Sequence, residues 1–384
     1  MTIPRDKVGT QVCSRCVYDT TIPLIRFDDS GVCQFCKIHD EMVQVYPLDG
    51  TEHDRLQKLV EAVKKAGRRN RYDCVVGVSG GRDSTYTLLK CVELGLRPLA
   101  VHFDNGWNSK IAVQNIESAC RKLNVDLETV VADWEEFKDL QISFLKASTS
   151  DAEVPTDVSI HAVLHDMAAR ENIKYLFIGH SFRTEGIVPK GWTYMDGKYI
   201  RSVHKKFGKL KKFKSFPEMT LWDVAYSMFV KRTISVPLLN YFDYDKEGVA
   251  AELTSKLDWI DYGGHHHESL YTIFFQSYYL PKKFAIDKRK LALSARIRNN
   301  KITRAEALSL LQSSKYPEYP EIVDYVWKKL GLTKEEASEI MSAEPRLYLD
   351  YNTYYPFLKS MRVPVWGMVK LGIIPEILYY KMYS

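Results

Sequence analysis

Residues 75–85 read Val-Val-Gly-Val-Ser-Gly-Gly-Arg-Asp-Ser-Thr, an apolar run that breaks into Ser79-Gly80-Gly81-Arg82-Asp83-Ser84. The apolar part has the composition of a buried parallel strand, and Tyr86-Thr87-Leu88-Leu89 after it begins a helix. Two adjacent glycines let the backbone turn tightly, and the free N–H groups of a helix start point at an anion. Ser79 and Ser84 add hydroxyl donors, and Asp83 places a carboxylate where it can hold Mg²⁺. The spacing is neither the Gly-x-x-x-x-Gly-Lys-Ser/Thr of a Walker loop nor the Gly-x-Gly-x-x-Gly of a dinucleotide fold.

The same alternation continues on both sides of this turn. A helical pattern at 54–65 leads to the basic turn Arg68-Arg69-Asn70-Arg71 and a strand at 72–78. The helix after the glycines ends at Leu94-Gly95, where glycine suits the first left-handed position past a helix. A second strand at 98–103 runs into Asp104-Asn105-Gly106, a helix covers 109–123, and a third strand covers 127–132. A helix at 159–171 precedes a fourth strand at 175–179, which runs into His180-Ser181-Phe182-Arg183-Thr184-Glu185. Strands alternating with helices predict a parallel α/β sheet. In such a sheet the ligand lies outside the carboxyl ends of the strands, so Asp104 is expected beside an adenosine.

Ser-Gly-Gly-x-Asp-Ser after a hydrophobic strand resembles the PP-loop of the ATP pyrophosphatases. That resemblance implies cleavage of ATP between its α and β phosphates and transfer of AMP to a substrate oxygen. It also implies that Ser79, Gly80, Gly81, Arg82 and Ser84 bind the nucleotide, with Asp83 and Ser84 at the reaction. Gly179…Thr184-Glu185 is similar to the segment with which ammonia-dependent PP-loop ligases such as NAD synthetase supply a second carboxylate. Asp83 and Glu185 are therefore expected to be the Mg²⁺ ligands.

With 384 residues, 45% hydrophobic and 27% charged, the chain has the composition of a soluble globular protein with two or three folding units. A net charge of +6 is mild: it suits an acidic small substrate and does not call for nucleic acid. The first residues have no apolar signal region and no stretch is long enough to cross a membrane, so a cytoplasmic location and thiol or metal-bound cysteines are expected. Cys13-x-x-Cys16 and Cys33-x-x-Cys36 have the spacing of a closed four-cysteine metal site, each pair offering two thiolates from one tight turn. Zinc is the expected ion; four thiolates also suit an iron–sulfur cluster. Cys74, Cys91 and Cys120 fall inside predicted elements and read as small hydrophobes. The units expected are a four-cysteine zinc segment at 1–50, the PP-loop domain at 51–200 and a mainly helical region at 201–384.

Beyond Gly191 the pattern changes. Residues 204–214 hold six lysines among Phe207, Leu210 and Phe213, a run that can grip phosphates, meet an acidic partner or simply face solvent. His265-His266-His267-Glu268 invites a metal reading, but consecutive residues on a helix do not share a face. Lys282, Lys283 and Arg289 concentrate cations suited to a pyrophosphate or a uronic-acid carboxylate. The aromatic tail from Tyr348 reads as core or as a protomer interface, the latter implying a homo-oligomer.

Taken in order, several stretches resemble the N-acetyl sugar amidotransferases of bacterial surface-polysaccharide assembly, the WbpG-like group. They are Cys13-x-x-Cys16-Val17-Tyr18-Asp19-Thr20-Thr21-Ile22-Pro23, the PP-loop, Val154-Pro155-Thr156-Asp157, Thr184-Glu185-Gly186, His266-His267-Glu268-Ser269, Leu280-Pro281-Lys282-Lys283-Phe284 and Asp287-Lys288-Arg289. The resemblance implies conversion of a sugar acetamido group to an acetamidino group on a nucleotide-linked sugar in O-antigen lipopolysaccharide biosynthesis, with ATP, Mg²⁺ and zinc. It implies a separate glutaminase subunit, similar to that of histidine biosynthesis, because no Gly-x-Cys-x-Gly nucleophile segment occurs here. Asp157 is a candidate for substrate binding or general base. The competing readings are a tRNA-thiolating PP-loop enzyme, against which stands the absence of any cysteine after Cys120, and a zinc scaffold with an inactive nucleotide domain, against which stand intact Ser79, Asp83 and Ser84.

Overall fold

The apolar runs of the central region pair into one five-stranded parallel sheet of order β3-β2-β1-β4-β5. The computed structural model describes residues 11–244, 246–264, 267–313 and 317–370. Two helices, α1 (Gln34–Val45) and α2 (Glu52–Gly67), precede β1 (Cys74–Gly77). The chain then alternates through α3 (Arg82–Glu93), β2 (Pro98–Asp104), α4 (Lys110–Leu123), β3 (Leu127–Val131), α5 (Trp134–Ala147), α6 (Val154–Arg170) and β4 (Tyr175–Ile178). After α7 (Gly197–Phe207) and α8 (Leu221–Ala225), β5 (Ile234–Pro237) completes the sheet beside β4, and helices make up the remainder.

β1 lies at the centre, with Val75 opposite Leu99 of β2 and Leu176 of β4. Its successive residues feed two cores, one on each side. Val75, Leu99, Val101 and Leu176 belong to one apolar cluster, and Cys74, Val76, Ala100 and Phe177 to the other. A sheet covered on both faces needs continuous apolar runs rather than alternation, which is why these strands were readable. The helices start and stop on local chemistry. Ser109 accepts the Ala112 N–H at the start of α4, Asp133 accepts those of Glu135 and Glu136 at α5, and Gly95 takes φ +70° after α3.

The structure differs from expectation at particular places. α6 begins at Val154, five residues before the predicted start, because Pro155 sits in its first turn, where a missing N–H does no harm. α5 and β5 were not anticipated. Cys74, Cys91 and Cys120 are buried in β1, α3 and α4, and burial pushes the Cys120 thiol up to about 11. The lysine-rich run is pinned from beneath. Lys209 and Leu210 donate backbone N–H groups to Asp139 at 3.0 Å, and Ser215 and Phe216 donate to Glu136 at 3.0 and 2.9 Å. Tyr348 stacks on Tyr194 at 4.4 Å and Tyr351 donates its hydroxyl to Ala147 O at 2.7 Å, so the start of the aromatic tail is core. Residues 371–384 lie outside the described residues. No described helix is long and apolar enough to cross a membrane.

One buried carboxylate makes stability depend on pH. Asp151 accepts the Tyr199 hydroxyl at 2.8 Å, and burial pushes its carboxyl up to about 6. Between its ordinary pKa near 4 and pH 6 the unfolded chain releases this proton while the folded chain keeps it, so stability falls as pH rises and is level above 6. The loss amounts to about 3 kcal/mol. Asp151→Asn is expected to unfold at a higher temperature than the parent at pH 8, with the gap closing toward pH 4. A gap that widens in acid would contradict this.

Candidate functional site

The loop between β1 and α3 is a tight turn with the donors an anion cradle needs. Gly80 takes φ +76°, and a Cβ there would stand 2.2 Å from the carbonyl oxygen of Ala112, so only glycine fits. The Gly80 carbonyl is held by Asn115 Nδ2 at 3.2 Å and by the Trp259 indole N–H at 3.1 Å. The Ser79 and Ser84 hydroxyls meet at 3.1 Å, and Ser84 Oγ accepts the Ser79 N–H at 3.1 Å. Thr85 closes the first helical turn through Gly81 O at 2.8 Å. Backbone and hydroxyl donors are thus gathered at one helix start, where the dipole favours a phosphate.

Beside the cradle, Asp83 and Glu185 come together because β1 and β4 are adjacent and parallel, so their carboxyl ends coincide. A Cβ on Gly179 would stand 2.7 Å from the Ser84 amide nitrogen, which shows how closely the end of β4 approaches the first turn of α3. Burial and then the Glu185 charge raise the Asp83 carboxyl above its ordinary value. Asp83 accepts the Tyr244 hydroxyl, which in turn accepts Arg82 Nε at 3.2 Å. Glu185 is held by His180 Nδ1. Burial lowers the Lys246 ammonium, while the charges of Asp83 and Glu185 act in the opposite direction. Two largely buried carboxylates, one close enough to raise the other, could hold a divalent cation.

A segment from the second half of the chain leans over the cradle. The Tyr262 hydroxyl accepts the Arg82 N–H at 3.2 Å, and Ser79 Oγ donates to Glu268 Oε1 at 3.3 Å. Glu268 is held there by its own backbone, whose carbonyl accepts the Ser109 N–H at 2.8 Å, and by the bridge between Asn108 and Ser269. Of the histidine run, His265 and His266 lie outside the described residues, and His267 meets the Tyr319 ring at 5.4 Å.

The four paired cysteines converge into one buried cluster whose ligand atoms all lie within 4.8 Å of one another. Sγ–Sγ distances are 3.9 Å for Cys13–Cys36, 3.7 Å for Cys16–Cys33 and 3.7 Å for Cys33–Cys36. Backbone N–H groups of Cys16 and Cys33 approach Cys13 Sγ at 3.4 and 3.3 Å. The buried Arg298 donates Nε to Cys36 Sγ and Nη2 to Cys16 Sγ, both at 3.3 Å. Arg304 Nε holds the Cys13 carbonyl at 3.0 Å. A cation among thiolates offsets the charge that four cysteines bring to a metal.

The other predicted residues are placed as follows. Asp104 ends β2 and ties down the next turn, accepting Gly106 N–H at 2.8 Å and Asn108 Nδ2 at 3.0 Å. Asp157 lies in the first turn of α6, next to Thr156, whose hydroxyl accepts Asn105 Nδ2 at 3.3 Å; that turn therefore stands at the carboxyl end of β2. Lys282 lies over the Tyr278 ring and 3.5 Å from Glu318, lining a cavity of about 890 Å³ among the C-terminal helices. Lys283 is committed away from the cradle. Its ammonium is buried and donates to the carbonyls of Ile340 and Ala343 at 2.5 Å, satisfying the end of helix Lys334–Ser342. Arg289 pairs with Asp287 in its own turn at 2.7 Å. The sequence reading missed Tyr244, Lys246, Trp259, Tyr262, Arg298 and Arg304, which come from loops and helices with no periodic link to the motifs. Glu268 was quoted within a motif but given no place at the loop.

Residues 268–362 match the family described as LPS biosynthesis protein WbpG-like, C-terminal domain. An uncharacterized protein of Methanocaldococcus jannaschii is 26% identical over 170 residues, covering 44% of this chain and 58% of that protein. The chain thus spans somewhat over half the length of that relative. Among solved structures, the U34-tRNA thiolase NcsA of Methanococcus maripaludis with its 4Fe–4S cluster aligns over 85% of this chain and 99% of its own, at 15% identity and TM-score 0.31. The NH3-dependent NAD synthetase of Campylobacter jejuni aligns over 74% and 99%, at 14% identity and TM-score 0.28. The PP-loop fold of this chain stands on its strand order and its loop. A WbpG-like C-terminal domain follows, beginning at the residue that touches the loop.

Proposed function

We propose that the chain is a cytoplasmic, ATP-dependent, AMP-forming amidotransferase of O-antigen lipopolysaccharide biosynthesis. Its substrate would be a nucleotide-linked N-acetylated sugar, a UDP-linked diacetamido uronic acid being the expected case. The observation that carries this reading is the cradle of Ser79, Gly80, Gly81 and Ser84 beside the paired carboxylates of Asp83 and Glu185. The WbpG-like match, which begins at Glu268, the residue that touches this loop, supports the choice of substrate class.

An amide carbonyl is a poor electrophile and its oxygen a poor leaving group. Attack of that oxygen on the α-phosphorus of ATP forms a C–O–P linkage and releases pyrophosphate. Ammonia then adds to the imidate carbon, and the C–O bond breaks to release AMP and leave the amidine. The N–H and hydroxyl donors of the cradle would hold the departing pyrophosphate. Mg²⁺ bound by Asp83 and Glu185 would offset the charge that develops there. Glu268 accepts the Ser79 hydroxyl at 3.3 Å, so a phosphate bound through that hydroxyl would displace its carboxylate. Asp104 would border the adenosine, and Asp157, at the β2 end, would take a proton from the attacking ammonia.

The cysteine cluster suits one tetrahedral ion. Zinc–sulfur bonds of about 2.3 Å put thiolates about 3.8 Å apart; the Cys13–Cys36, Cys16–Cys33 and Cys33–Cys36 spacings are 3.7–3.9 Å, and all four ligand atoms lie within 4.8 Å of one another, which supports zinc. A four-iron cluster, with each thiolate on its own iron, holds them farther apart. The site is closed by its own four ligands, so its role is structural.

Ammonia would come from a separate glutaminase subunit. Ammonium salts are expected to support AMP release by this chain alone, and glutamine only once that subunit is added. Glutamine-driven turnover by the chain alone would remove the partner from the account.

A further inference from the structure

We infer that the four-cysteine centre, beyond its structural role, positions Glu185 for the reaction through Tyr18, His39 and Asn299. This rests on the reading of Asp83 and Glu185 as the cation ligands and deepens it. Glu185 lies in a turn after β4, where Thr184 and Glu185 donate their N–H groups to Ser181 O at 3.3 and 2.9 Å. A connecting turn has no ladder of its own to fix its direction, so the aim of its carboxylate depends on what holds the backbone from outside. Side chains hold it at both ends: Tyr18 donates its hydroxyl to Ile187 O at 3.0 Å, and Asn299 donates Nδ2 to Arg183 O at 2.9 Å. Between them Gly186 takes φ +77°, and a Cβ there would stand 3.0 Å from Leu291 O, so the turn is pressed onto helix Arg289–Arg298.

Each of these holders is tied to the cysteine centre. Tyr18 follows Cys16 by two residues, is buried, and has the Arg298 guanidinium over its ring at 4.8 Å. Asn299 directly follows Arg298, which donates to Cys36 and Cys16 at 3.3 Å. The Asn299 amide is committed at both ends. Nδ2 also closes the end of its helix on Ala295 O at 2.8 Å, and Oδ1 faces His39 Nε2 at 3.3 Å, which places the imidazole proton on that nitrogen. His39 follows Cys36 by three residues on α1, and its ring meets that of Phe182, in the Glu185 turn, at 5.2 Å. A metal centre that stabilised only its own segment would need none of these three side chains on that turn. Groups that stand behind a metal ligand and fix its orientation lower metal affinity strongly when they are lost.

Binding of Mn²⁺ in place of Mg²⁺ to the full chain with α,β-methylene-ATP, read by electron paramagnetic resonance, tests this without turnover. Tyr18→Phe and Tyr351→Phe form a matched pair: each removes one buried phenol O–H from a backbone carbonyl, that of Ile187 or that of Ala147. Both are expected to lower the unfolding temperature alike and to keep the metal of the cysteine centre. Tyr18→Phe should weaken Mn²⁺ binding about tenfold and Tyr351→Phe leave it unchanged, with Asn299→Ala behaving as Tyr18→Phe does. Equal Mn²⁺ affinity in the two phenylalanine variants, or parent-like binding by Asn299→Ala, overturns the inference. Asp83→Asn and Glu185→Gln separate it from the reading beneath it. If these lose Mn²⁺ while Tyr18→Phe and Asn299→Ala bind it as the parent does, the positioning role alone falls. If they too bind it like the parent, the carboxylate pair is not the cation site, and the inference falls with that reading.

Discussion

Asp83→Asn is expected to give a folded protein in which the proposed AMP formation is all but lost. The substitution keeps the size of the side chain and an oxygen for the Tyr244 hydroxyl, and it removes only the charge. That charge is buried and faces Glu185, an arrangement already unfavourable enough to raise the Asp83 carboxyl. Neutralising one member of a like-charged buried pair does not weaken the fold, so the unfolding temperature should stay level or rise slightly. Catalysis should respond differently, because in the proposed reaction the pair would hold the cation that accompanies the phosphates. A loss of at least about 10³ in AMP formation, roughly 4 kcal/mol of transition-state stabilisation, is expected. Glu185→Gln should fall by a similar factor. AMP measured by chromatography, together with thermal unfolding, reads both quantities. Activity within tenfold of the parent for either variant would take that carboxylate out of the metal role.

Cys16→Ser has the larger effect on the fold. Its sulfur is fully buried, lies 3.7 Å from Cys33 Sγ and accepts an N–H from Arg298. Serine removes one of four soft ligands and leaves the buried guanidinium beside a neutral group. Metal binding and folding of such a segment are linked, so both are expected to be lost together at a cost of about 5 kcal/mol or more. The loss spreads because the knuckle carries the adjoining Tyr18, which packs on Phe35 and Trp192 and bonds Ile187 O at 3.0 Å, next to the turn that bears Glu185. Insoluble protein or a fall of more than about 10 °C in unfolding temperature should accompany the missing metal. Cys91→Ser, an equally buried thiol outside the cluster, should keep its metal. A soluble, active, metal-free Cys16→Ser protein would contradict the structural role.

What was legible in the sequence is what local chemistry dictates. β1, β2 and β4 are largely apolar runs because both faces of the sheet are covered there, whereas the edge strand β3 (Leu127–Val131) leaves Glu128, Thr129 and Val131 exposed. The PP-loop was readable because Gly80 must adopt positive φ against Ala112, a demand only glycine meets. The cysteine cluster was readable because each knuckle brings its two thiols together within a single short turn. β5 escaped because a four-residue edge strand within a helical region has too few positions to show a period. Arg298 escaped because 262 residues separate it from Cys36, and nothing in its own helix distinguishes a thiolate partner from solvent. Lys283 shows the converse error. Its neighbourhood is rich in cations, as a phosphate site would be, yet burial and the open carbonyls of a nearby helix end claim it. Charge runs report composition, whereas placement at a ligand is decided by which backbone groups are left unsatisfied.

The central claim is that ATP is spent to exchange an amide oxygen for nitrogen on a nucleotide-linked sugar. Product mass spectrometry on the purified protein with MgATP, ammonium salt and a panel of UDP-linked N-acetylated sugars and uronic acids tests it directly. The account predicts one sugar with a single oxygen replaced by NH, formed alongside equal amounts of AMP and pyrophosphate. Unchanged sugars, with AMP released only on adding tRNA and a sulfur donor, would contradict it and assign the chain to thiolation.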